Sequence, residues 1–157
     1  MSATHDRLND IRLVPPSGHG LDADFSDASM VLLNLLQQRH SSRAYAARPL
    51  PLYTLSRLLW AAFGVNRPAE GGRTAPSARN EQEITLYAVL PEGSYVFEPA
   101  DLVLRQVSSA DLRAATGLQD FVGSAALNLV YVATLVPEAD INEQEQQFYA
   151  ALDTGFI

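Results

Sequence analysis

Five consecutive residues, Arg39, His40, Ser41, Ser42 and Arg43, set two guanidinium groups, one imidazole and two hydroxyls side by side in the chain. An anion is their natural complement, because guanidinium groups offer paired donors to phosphate or carboxylate, and hydroxyls and free backbone N–H groups add to them. Composition leaves two other accounts open: a surface cluster pairing with the eighteen acidic residues, or positive charge gathered at a helix C-terminus. A second stretch, TAPSARNEQ, supplies Ser77, Asn80 and Gln82, neutral donors and acceptors suited to the edge of an amide-rich heterocycle. A simple Pro-Ser turn is its plainer reading.

Other chemistries fail on spacing or composition. GHGLDA, residues 18 to 23, has dinucleotide-fingerprint spacing, but two prolines precede it where a strand is required. Asp22, Asp24 and Asp27 resemble a calcium loop, yet Asp27 stands where glycine is needed and Leu33 where the closing Glu belongs, so they read as a solvated acidic turn. His5, His19 and His40 lie far apart, and none has a second histidine at helical spacing, so no metal site is expected. A chain without lysine has no phosphate-binding P-loop, and no G-x-S-x-G elbow occurs. Zero cysteines exclude disulfides, thiolate nucleophiles and Cys-ligated zinc.

The elements that must position the two polar stretches follow from length and periodicity. At 157 residues and 47% apolar composition, one domain with a substantial core is expected. A net charge of −7 argues against nucleic acid as partner. No apolar run reaches the roughly 18 residues of a membrane span, and the polar N-terminus lacks a signal-peptide core, so a cytoplasmic protein is expected. Residues 1–26, with Pro15, Pro16, Gly18 and Gly20, read as an extended arm outside the core, of the kind that packs on a partner subunit. The domain proper then runs over 27–157.

Val31, Leu32, Leu35 and Leu36 predict a helix from a cap at Ser26 or Asp27 to about Arg39. The prolines Pro49 and Pro51 make the next stretch a loop. Leu55, Leu58, Leu59 and Ala62 predict a second helix over 54–63, ended by Gly64. Residues 66–82 read as a long loop before a strand at 84–90. SYVFEP and LVLRQV form a hairpin pattern, and 109–117 a short helix. LNLVYVATL, from Leu127, is expected at the sheet's centre, and a last helix from about Ile141 carries Phe148, Leu152 and Phe156 as an apolar stripe. No polar tail follows Ile157, which predicts a chain truncated at its C-terminus.

The stretches LLNLLQQRHSSRAY, RPLPLYTLSRLLWAAFGVNRP, RTAPSARNEQEITLYAV and GLQDFVGSAALNLVYVA resemble, in order, the nitroreductase family of FMN-dependent oxidoreductases. The likeness covers about residues 28 to 157. LLWAAFGVNRP and TAPSARN are most similar to the branch containing SagB-like dehydrogenases. The resemblance implies an α+β fold, a three-layer α-β-α arrangement around a mixed, mostly antiparallel sheet, with the family's C-terminal elements missing. It also implies a homodimer with flavin sites at the subunit interface.

By that resemblance Arg39, His40, Ser41 and Arg43 hold the FMN phosphate, ribityl chain and pyrimidine edge. Pro76, Ser77, Ala78, Asn80 and Gln82 correspond to the segment reaching the other subunit's flavin, and Gln119, or Leu118 in another alignment, to a polar flavin neighbour. The implied reaction is ping-pong: NADH or NADPH reduces the flavin, which then reduces a small organic acceptor such as a nitroaromatic or quinone. No side-chain nucleophile is required, and Arg43 stabilises the reduced, anionic flavin. Where relatives often carry Gln-Pro-Trp, this chain has Glu81, Gln82, Glu83 and Ile84, and the resemblance implies that the negative charge added near the substrate mouth disfavours anionic acceptors. The residues also fit a non-catalytic fragment or dimeric interaction protein without flavin; flavin chemistry on a peptide azoline is a third possibility.

Overall fold

Alternation in ITLYAVL turns Ile84, Leu86, Ala88 and Leu90 to one side of strand β4 (Ile84–Leu90), and all four are buried. A computed structural model describes residues 10–13, 35–135 and 142–157 of the chain. The rest of the arm, the cap at Ser26 or Asp27, the 18–23 motif, the acidic turn, His5, His19 and the approach to the last helix through Pro137 lie outside the described residues.

β4 pairs with β5 (Gly93–Glu98), β5 with β6 (Val103–Ser108), β6 with β1 (Ile11–Arg12), and β4 on its other side with β7 (Asn128–Ala133). The five-stranded order is β1-β6-β5-β4-β7, and each of these pairings is antiparallel. A tight turn joins β4 to β5. It needs Gly93, which sits at φ +147° where a Cβ would collide with the Ser108 carbonyl oxygen.

Helix α1 (Leu52–Phe63) lays Leu55, Leu59 and Phe63 into the cluster formed by Leu86, Ala88, Phe97 and Leu104. The buried stripe is thus rotated from the one expected: Leu58 is exposed, and Ser56 is buried, its hydroxyl donating to Leu52 O at 2.8 Å. Gly64 does end the helix, but in extended conformation. Its lack of a side chain matters because a Cβ would lie 2.5 Å from Trp60 Cδ1. Helix α2 (Glu143–Phe156) opens on a capping box, with Asn142 Oδ1 accepting from Glu145 N and Glu145 Oε2 accepting from Asn142 N.

Several expectations are corrected. Residues 66–82 are not one loop: β2 (Val65–Arg67) and β3 (Gly72–Arg73) form a small antiparallel hairpin before a 3₁₀ turn at Ala78–Asn80. The 109–117 stretch yields only a 3₁₀ turn, Arg113–Thr116, because Asp111 accepts from Arg113 N and closes the chain locally. Leu13 of the expected arm is buried beside the β1 pairing.

β7 is the sheet edge among the described residues, not its centre, and its side chains are half-buried or exposed. An apolar run reports that both faces want cover, not which element supplies it. α2 shows the same thing: it buries Gln146, Ala150 and Asp153 while Phe148, Tyr149, Leu152 and Phe156 face outward.

Candidate functional site

The expected site residues fall into two groups at opposite ends of the β4–β7 ladder. Residues 35–38 are helical, and Arg39 N donates to Leu35 O at 3.0 Å, so the cationic loop begins at that helical end. His40 Nδ1 donates to Gln38 O at 2.9 Å, and Ser42 Oγ to Ala44 O at 3.2 Å. Arg39, His40, Ser41 and Arg43 are all exposed. Among the described residues neither Arg39 nor Arg43 forms an ion pair with a carboxylate. Arg43 instead stands 5.8 Å from the centroid of the Phe121 ring, which Tyr45 also approaches at 6.2 Å.

Phe121 belongs to the 3₁₀ turn Asp120–Ser124, and Gln119 is that turn's first cap residue. The structure therefore brings Arg43 and the Gln119 segment together, and Leu118 is fully exposed beside them. Two interactions fix that segment. Asn128 Nδ2, at the start of β7, lies 2.8 Å from Thr116 Oγ1 and 3.1 Å from Arg113 O and Val122 O. Arg113 grips Asp111 through two parallel bonds of 2.9 and 2.8 Å and donates to Ala125 O. Those hydrogen bonds from Arg113 hold the Asp111 carboxyl down at about 2.

The second group, Pro76, Ser77, Ala78, Asn80 and Gln82, lies where the chain enters β4, beside Thr134 at the far end of the ladder. Val89 pairs with Asn128 at one end and Ile84 with Ala133 at the other. At about 3.4 Å per residue, the ladder between those two ends is about 17 Å long. The turn is unusual in its backbone: Arg79, Asn80 and Gln82 all have left-handed φ values, 56°, 59° and 52°. Non-glycine residues are uncommon in that region, asparagine less so than arginine or glutamine, and such positions concentrate at binding sites.

The surroundings are identifiable. Ser77 Oγ accepts from Gln82 N at 2.8 Å, and Asp153 of α2 accepts from Ala78 N at 2.8 Å. Gln82 Nε2 donates to Gly71 O and to Asn80 Oδ1, both at 2.9 Å. Asn80 Nδ2 and Gln82 Oε1 then remain as a donor and an acceptor without a partner among the described residues. Asp153 was not among the residues expected from sequence. Its only signal there is an acid sharing a helix face with Gln146 and Ala150.

Glu83 closes the turn and borders a cavity of 520 Å³ lined also by Glu81, Gln82, Thr85, Thr134, Leu135 and Gln146. Its Oε1 is buried without a hydrogen bond, and its Oε2 lies 3.4 Å from the Ser77 hydroxyl. Burial first, and then the neighbouring Asp153 and Glu81 carboxylates, push Glu83 above its usual value of 4.5. The folded protein thus favours protonated Glu83 more than the unfolded chain does. That contribution is fully present below the unfolded value and is lost as pH rises through the higher folded one. Glu83→Gln is expected to be more stable than the parent near neutral pH, with the advantage disappearing on acidification. Thermal melts of both proteins across the acidic to neutral range check this; a constant difference at all pH values refutes it.

Comparison with known proteins follows the same arrangement. The family model described as "Nitroreductase family" matches residues 36–157, most of the chain and both groups of candidate residues. The chain belongs to the nitroreductase family. It is also similar to a crystal structure described as a "putative nitroreductase" from Ralstonia eutropha JMP134, at 39% identity and a TM-score of 0.79. That similarity covers 99% of this chain and 69% of the other. No curated protein matches the chain. The nitroreductase fold accounts for the α+β architecture and antiparallel sheet, and the family indicates an oxidoreductase of flavin-dependent type. Among the described residues no helix is long and apolar enough to cross a membrane.

The residues present fit a flavin. A pyrimidine-type edge alternates hydrogen-bond acceptors with an N–H donor, and Asn80 Nδ2 with Gln82 Oε1 offers the complementary donor and acceptor. A phosphate calls for unpaired cations, which Arg39 and Arg43 supply among the described residues.

Proposed function

We propose that this nitroreductase-family chain is one subunit of a homodimeric FMN-dependent oxidoreductase of the SagB-like branch, reducing a small organic acceptor with NADH or NADPH. The observation that carries this reading is the separation of the candidate residues. The cationic loop and the left-handed turn lie toward opposite ends of the β4–β7 ladder. Two chains related by a two-fold axis set one group from each beside the same cofactor. The outward-facing aromatics of α2 supply apolar surface for that association.

When bound, the flavin supplies reversible hydride chemistry. Arg39, His40 and Ser41 hold the phosphate and ribityl oxygens, and Arg43 places positive charge where negative charge develops on reduction. Asn80 and Gln82 orient the ring edge, with the Gln119 segment alongside the cationic loop. Pro76, Ser77 and Ala78 maintain the turn. Glu81 and Glu83 border the adjacent cavity and select neutral or cationic acceptors over anionic ones.

The test is the visible spectrum of the purified protein after gel filtration with FMN. A flavin spectrum at dimer size supports the proposal; a colourless protein favours a non-catalytic interaction protein. Arg39→Ala is expected to weaken FMN binding about 10- to 100-fold, the worth of one charge-assisted contact. Because Arg39 is exposed in the single chain, the subunit should still fold. Unchanged FMN affinity in that variant removes the loop from the site.

A further inference from the structure

We infer that Asp153 is a positioning residue for the flavin: from helix α2 it holds the 76–82 turn in the left-handed conformation that presents Asn80 and Gln82. This rests on the flavin reading above. Asp153 is only 4% exposed, and its Oδ2 accepts from Ala78 N at 2.8 Å across 75 residues of sequence. Among the described residues no cation forms an ion pair with it, and Glu83 stands in the same turn, where Glu81 is paired with Arg79 at 3.4 Å. A carboxylate buried in that setting is costly to keep, and the backbone N–H it accepts is that of the residue immediately before the first left-handed one.

Ala78 N is where the turn begins. Ala78 O accepts from Glu81 N at 3.1 Å, and Ser77 O from Asn80 N at 3.0 Å, so the two carbonyls flanking that amide are both occupied inside the turn. Ser77 Oγ ties the far end through Gln82 N. The braces on the turn that come from elsewhere include Gln82 Nε2 to Gly71 O, which holds its far end, and Asp153 from α2, which holds its start. Without Asp153 the start of the turn is released, and relaxation of the left-handed residues that follow redirects the Asn80 amide and the Gln82 carbonyl. Asp153 contacts no cofactor in this account. It acts through Ala78.

The experiment uses the full chain and FMN itself as probe. FMN dissociation constants come from quenching of flavin fluorescence, and hydrogen exchange at the Ala78 amide is followed without FMN. Asp153→Ala is expected to weaken FMN binding at least about 10-fold and to accelerate Ala78 exchange at least about 10-fold. Asp153→Asn keeps an acceptor in place and should recover both to within a few-fold of the parent. If the alanine variant does not fold, Asp153→Ser, polar but too short to reach Ala78, takes its place.

A folded alanine or serine variant with parental FMN affinity overturns the inference. So does an asparagine variant, equally well folded, that recovers stability but not FMN binding. Failure of the parent protein to bind FMN overturns the function proposed above. In that event rapid exchange at Ala78 in the parent would overturn the Asp153 brace too, whereas slow exchange that Asp153→Ala releases would leave it standing as a structural contact.

Discussion

Replacing Phe148 and Phe156 together by glutamate is expected to give a folded monomer that no longer retains FMN. Both side chains are exposed in the single chain, 61% and 64%, so their loss costs the subunit's own core little. In the proposed dimer they are buried. Burying a phenylalanine is worth about 1.5–3 kcal/mol, and a two-fold interface counts every change twice. The loss is then at least about 6 kcal/mol, more than about 10⁴-fold in the dimer dissociation constant, before any cost of burying the new charges. FMN goes with the dimer because, in the proposed site, Asn80 and Gln82 reach the ring edge from the other chain. Analytical ultracentrifugation with flavin absorbance reads both outcomes. A monomer that keeps FMN refutes the shared site, and a double variant that remains dimeric places the interface elsewhere.

Leu59→Ala is expected to cost about 3–4 kcal/mol of stability, with a fall in melting temperature of about 10 °C. Leu59 is 0% exposed and stands in the middle of the α1 stripe, against a cluster that includes Leu86 and Leu104, themselves fully buried. The helix is anchored at its ends by the Pro51 turn and by Gly64 N donating to Trp60 O. It therefore has little freedom to move inward and refill the space. The Leu58→Ala variant, one position along and exposed, serves as the control and should change stability by less than about 1 kcal/mol in the monomer. Chemical denaturation of both variants decides the matter; equal losses mean that the stripe is misassigned.

Much of the framework was legible in the sequence because it follows from local rules. Strand β4 falls over 84–90 as alternation and β-branching require, and the hairpin that follows is set by two short β-prone runs around a turn. Arg39 to Arg43 and TAPSARNEQ announce polar chemistry by residue type alone. The family likeness that these stretches carry agrees with the matched model over 36–157. What periodicity could not supply was neighbour order. The apolar run of β7 looks central but lies at an edge, because a run records that cover is needed and not whether the same chain provides it.

The amino-acid sequence by itself determined the longer strands and helices, β4 to β7, α1 and α2, which residues carry charge or amide chemistry, and which motif-borne chemistries are excluded, since these depend on neighbours a few positions apart. Tertiary structure alone decided that the two polar groups lie toward opposite ends of the β4–β7 ladder, that α2 turns its aromatics outward, and that Asp153 reaches Ala78. The physical reason is separation in sequence. A hydrogen bond between residues 75 positions apart, like a left-handed backbone run in Arg79, Asn80 and Gln82, is imposed by packing that no local propensity encodes.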